Sequence, residues 1–104
     1  MRILHKKLCL LMLLLISCHL NILAQDKTVT GVVLDKTGET VIGASVLVKG
    51  TTNGTITDVD GNFTLKNVQE DAVLQVSFVG YKAQDVALKG QSNIKVTLEE
   101  DTEV

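Results

Sequence analysis

Residues 51–68 read TTNGTITDVDGNFTLKNV, and the choice between two readings of this stretch decides the fold. It places Asn53-Gly54, Asp60-Gly61, Asp58 and Asn62 in a chain that otherwise runs to valine, leucine and threonine. The DVDGN portion copies the opening of a calcium loop, where oxygens at alternate positions and a glycine for the sharp turn converge on one ion. The same residue types also build a tight reversal between two strands.

The flanking residues choose between the two. An EF-hand loop counted from Asp58 would need its bidentate glutamate at position 69, which is glutamine, and it would need a helix on each side. Instead Phe63 and Leu65 alternate with Asn62, Thr64 and Lys66, the period of two that turns one face of a strand toward a core. Asp58 is therefore read as a cap accepting backbone N–H groups, Asp60-Gly61 as the reversal and Phe63 as the first core residue beyond it. Asp58, Asp60 and Asn62 remain the one candidate metal set, for calcium; no cofactor and no catalytic residue is expected.

Working outward, the same alternation recurs along the chain. Val29, Gly31 and Val33 share one face of a strand near 28–34, and Ala44, Val46 and Val48 share one near 44–49, with Ser45 and Lys49 turned away. A short piece spans Thr55 to Asp58, and further strands lie near 62–66 and 73–79, the latter with Leu74, Val76 and Phe78 on one face. YKAQDVAL and NIKVTLE complete the series, the last with Ile94, Val96 and Leu98 inward. Asp35-Lys36-Thr37-Gly38, Lys49-Gly50-Thr51, Gly80 and Gly90-Gln91-Ser92-Asn93 punctuate it with residues that tolerate positive φ or form Asx turns. About seven short strands with such turns, and no helical stripe after residue 27, predict an all-β sandwich.

The 104 residues leave room for one domain. Residues 1–25 differ in kind: Arg2, His5, Lys6 and Lys7 precede the apolar run Leu8–Ile16, followed by Ser17, Asn21 and Ala24. This is the pattern of a secretory signal peptide, too short to span a bilayer and with a cut near Ala24 or Gln25. Leu15-Ile16-Ser17-Cys18 supplies a competing cut, at which Cys18 would be lipidated and hold the domain on a membrane. Both cysteines and both histidines lie within residues 1–25, so the exported chain has no thiol nucleophile, imidazole base, disulfide or zinc site of the usual ligands. Seven lysines then face 12 acids, a net charge of −5 that disfavours nucleic acid. Residues 26–98 are assigned to the sandwich and 99–104 to a solvated acidic tail or truncated linker.

Other residues that could carry chemistry read as structure. Asn62-Phe63-Thr64 fits a glycosylation sequon and is read as the start of a strand. Tyr81, the one tyrosine, is read as a core or corner residue, and Gly31 and Gly80 as places of close approach. Ser45, Ser77 and Ser92 have no histidine to activate them.

The combination of Gly31, Asp35, Gly38, Gly43-Ala44, Val46, Lys49-Gly50-Thr51, Thr57-Asp58, Gly61-Asn62-Phe63 and Phe78-Val79-Gly80-Tyr81 resembles the carboxypeptidase-regulatory-like domain. More narrowly, the chain is similar to the N-terminal extension of SusC/RagA-type TonB-linked outer-membrane transporters, over essentially all its length. The resemblance implies a transthyretin-like (prealbumin-like), antiparallel Greek-key sandwich without zinc ligands. It implies a non-catalytic periplasmic accessory role in nutrient uptake, of a glycan or peptide, with protein partners of the outer-membrane uptake machinery. Such transporters continue into a TonB box, a plug and a barrel of about 22 strands, which 104 residues cannot hold. The alternative is a free-standing carbohydrate- or surface-binding module, although Phe63, Phe78 and Tyr81 are the only aromatics and two are read as buried.

Overall fold

A computed structural model describes residues 26–102. The expected signal peptide, residues 1–25, the lipidation alternative at Cys18, and Glu103 and Val104 lie outside the described residues. Seven strands follow in order: β1 Lys27–Leu34, β2 Ser45–Val48, β3 Gly54–Ile56, β4 Asn62–Val68, β5 Val73–Ser77, β6 Gln84–Ala87 and β7 Asn93–Thr97. They form a three-stranded sheet, β4-β1-β7, and a four-stranded sheet, β3-β2-β5-β6, with no helix among the described residues. The chain changes sheet after β1, β3, β4 and β6, so the expected all-β sandwich is present.

The faces follow the alternation. β1 turns Val29 and Val33 inward, β4 turns Phe63, Leu65 and Val68, and β7 turns Ile94 and Val96. The other sheet answers with Val46, Leu74 and Val76, while Val41, Ala44, Leu88 and Leu98 close the ends. Each large apolar side chain buried here contributes about 1.5–3 kcal/mol relative to exposure. With no cysteine after residue 25, this core carries the stability of the sandwich without covalent help.

Gly31 sits at the centre of the three-stranded sheet. It pairs with Phe63 across β4 and with Ile94 across β7. A Cβ built on it would lie 2.5 Å from Phe63 Cζ and 2.6 Å from the Ile94 carbonyl oxygen. The missing side chain is therefore the space into which the Phe63 ring folds, as the close-approach reading of this glycine anticipated.

Thr57, the one buried polar residue among those described, ties a loop to the end of β3. Its hydroxyl accepts the Ala44 N–H at 2.9 Å and donates to the Val41 carbonyl at 2.6 Å. Two backbone groups that the 41–44 turn would otherwise bury unpaired are satisfied by one side chain.

Four expectations need correction. β7 runs parallel to β1, so the sandwich is not wholly antiparallel; a period of two is the same in either direction, and the crossing from β6 sets the sense. β5 ends at Ser77, so Phe78 leaves the core face and is 36 % exposed. The reason is a turn in which the Tyr81 N–H donates to the Phe78 carbonyl and Gly80 takes φ 88°. Gly80 is needed for that φ and not for close approach, since nothing lies within 4 Å of its would-be Cβ. Finally, β6 begins only at Gln84, and Tyr81 bridges instead to Glu100, so the acidic stretch has solvated side chains but a paired backbone.

Gly31→Ala should lower stability by about 2–3 kcal/mol, measured by urea unfolding. Adding Phe63→Leu should recover only part of that loss, because the clash with the Ile94 carbonyl oxygen is backbone and stays.

Candidate functional site

Two loops at one end of the sandwich share a five-residue design. In Asp35–Glu39 the Asp35 carboxylate Oδ1 accepts the N–H of Thr37 at 2.9 Å and of Glu39 at 3.0 Å. In Asp58–Asn62 the Asp58 Oδ1 accepts the N–H of Asp60 and of Asn62, both at 2.9 Å. Gly38 and Gly61 occupy the fourth position with φ 87° and 75° and donate back to the aspartate carbonyls. In each loop the aspartate N–H also donates to the fifth carbonyl, closing the turn at 2.9 Å.

The acidic stretch has a structural role in its own loop. Oδ1 of Asp58 is turned onto its own loop, as the capping reading required. No group of three or more His, Cys, Asp or Glu side chains is placed to hold a metal among the described residues. The Asp35 carboxyl is held below its ordinary value, chiefly by the Thr37 hydroxyl, which donates to Oδ1 at 2.6 Å. Desolvation opposes it, and the backbone amides of Glu39, Thr37 and Gly38 each add a lesser lowering.

The two ends of the sandwich differ in chemistry. The end holding loops 35–43, 57–61 and 78–82 presents Ile42, Ile56, Val59, Phe78 and Val79 to solvent. The opposite end, loops 49–53, 69–71 and 89–92, is built from lysine, glycine, threonine and carboxamide or carboxylate residues. There the Asn53 side chain donates to the Lys66 carbonyl at 2.8 Å, covering part of the outer edge of β4.

The remaining strand edges are short. β3 has three residues, β6 four and β7 five, and β7 carries the exposed Lys95. Short, charged edges are what proteins use to discourage strand addition. At the apolar end the gap between β6 and β7 is partly bridged, because the Lys82 N–H donates to the Glu99 carbonyl and the Asp101 N–H to the Gly80 carbonyl. The turns of that end, and not the sheet edges, are the candidate contact surface.

These strands, loops and turns make a two-sheet β-sandwich of three and four strands. The CarboxypepD_reg-like domain profile matches residues 29–104, and the chain belongs to that family. It is 49 % identical over 98 residues to the TonB-dependent receptor SusC of Bacteroides thetaiotaomicron, a match covering 94 % of this chain and 10 % of that protein. It is 39 % identical over 89 residues to the TonB-dependent receptor P39 of Formosa agariphila, covering 86 % of this chain and 9 % of the receptor. The chain thus spans about a tenth of the length of these relatives. Among solved structures it is similar to a chain of a type II cohesin–X-dockerin complex from Acetivibrio cellulolyticus, with a TM-score of 0.60 and 20 % identity. That likeness covers 71 % of this chain and 58 % of the other and shows the shared sandwich fold.

Sequence reasoning named the turns at one end as one possible place of contact but missed which of their apolar residues are exposed. Phe78 was placed on the core face and Ile42 and Val59 went unremarked. The legible signal was the pair Phe78-Val79 directly before Gly80, two large apolar residues that a turn cannot both bury.

Asp58→Ala should lower stability by about 1 kcal/mol, equally with calcium and with a chelator, if the carboxylate serves its loop; a calcium-dependent difference in the thermal midpoint would restore the metal reading. Asp35 should make stability fall with acid. Its folded-state value lies below the 3.8 of the unfolded chain, so the unfolded state takes up the proton first. The contribution is fully present above 3.8 and is lost as pH falls through the lowered value. Asp35→Asn should flatten that slope in urea titrations across the acid range.

Proposed function

We propose that this chain is a non-catalytic accessory domain of a TonB-dependent outer-membrane receptor, exported to the periplasmic side and acting through protein contacts in the uptake of a glycan or peptide. The observation that carries the reading is the 49 % identity to a TonB-dependent receptor over 94 % of the chain. Residues 26–104 contain no cysteine or histidine, which fits a role in contact and not in covalent catalysis. Residues 1–25 fit the export that such a location requires, and residues 26–98 are the folded unit delivered there.

A sugar-binding role is supported less well. The exposed Phe78 ring packs against Tyr81 at 6.2 Å between centroids with the planes tilted by 40°. Such a pair does not offer the flat platform on which a sugar ring stacks.

Fractionation of native cells followed by intact mass spectrometry tests the reading. The expected result is a large outer-membrane protein that begins with this domain, whose uptake rate falls when residues 26–102 are deleted while membrane insertion persists. A soluble product of residues 26–104 alone, or a lipidated Cys18, would overturn the corresponding part of it.

A further inference from the structure

The exposed apolar side chains are gathered, not scattered. Ser45 pairs with Ile56 on one side and Ser77 on the other, which brings Ile56 and the Phe78-Val79 turn to the same end of the four-stranded sheet. Gly43, beside Ile42, lies against the Phe78 ring, its would-be Cβ 3.7 Å from Cε1, and its N–H donates to the Thr57 carbonyl at 3.0 Å. Val79 is 89 % exposed and Val59 73 %. Single exposed apolar residues are ordinary on a soluble surface, whereas several at one end mark a contact site.

The chain also leaves the sandwich at this end. The Asp101 N–H donates to the Gly80 carbonyl at 3.0 Å, next to Val79, and Glu100 bridges Tyr81. Any polypeptide that continues past Val104 therefore starts beside the apolar surface. Asp35, Glu39, Asp58, Asp60, Glu99 and Glu100 outnumber Lys36 and Lys82 there and give that end a net acidic rim.

We propose that this apolar end docks against the folded polypeptide that follows in the receptor, on a surface with apolar contacts and a basic rim. The domain is then seated on its own protein, not swinging on a linker. The inference rests on the reading of the chain as a receptor domain, and the length of the relatives, about ten times the matched stretch, supplies the occupant. An occupant joined through the same polypeptide sits at an effective concentration that reaches the millimolar range where the linker is short and flexible. A contact smaller than the roughly 1,000 Å² that free partners need can then persist.

The test uses the full-length receptor carrying this domain, with Ile56→Ser and Val79→Ser combined. Both positions are exposed, so the sandwich should stay folded, which circular dichroism checks. Limited proteolysis of the segment just after Val104 should accelerate at least about tenfold in the double variant. A control pair at the other end, Thr52→Ser with Gln91→Ser, should leave the rate unchanged. Equal proteolysis in all three receptors would overturn the docking and leave the receptor reading standing. If the native product proves to be a small free protein, the occupant does not exist and both readings fail. Concentration-dependent dimerisation of purified residues 26–104, abolished by Val79→Ser, would assign the surface to a second copy and overturn the proposal in another way.

Discussion

The Phe63 ring lying in the space that Gly31 leaves is the contact around which the rest of the sandwich is arranged. β1 is the strand paired on both sides in its sheet, so its centre must admit a ring from one neighbour and a carbonyl from the other. Only glycine allows both approaches, at the cost of some strand propensity. The ring restores the apolar surface that the glycine lacks. The inner faces of the two sheets can then meet without a void at the middle of the core.

From that centre the two ends of the molecule separate in kind. At one, hydrogen-bonded polar loops close the sheets and shield an edge. At the other, two aspartate-capped loops of the same design and the Thr57 hydroxyl satisfy the backbone of turns whose large apolar side chains stay exposed. The aspartates that first suggested a metal serve that purpose by consuming backbone amides.

A domain of this family accompanies a much larger receptor in its relatives, and its features fit a subordinate part. It has short strand edges and no imidazole or thiol after residue 25. Among the described residues, the large exposed apolar side chains lie at the end where Asp101 is paired to the Gly80 turn, so that turn and the last described residues are held together.

The sequence by itself determined most of the residues that face the core, where the turns fall, and that no cysteine or histidine follows residue 25. These depend on a period of two and on short side chains bonding their own backbone, and both are local. Val29, Val33, Phe63, Leu65, Ile94 and Val96 were legible for that reason, as was Asp58 as a cap. The family could also be read from the run of glycines and aspartates that the turns require. The tertiary structure alone decided the parallel sense of β7, the exposure of Phe78, the burial of the Thr57 hydroxyl and the meeting of loops 35–39 and 57–61 with the chain exit. Each depends on which strands cross between the sheets, a relation among residues distant in the chain. An alternating pattern reads the same in either direction and in either sheet.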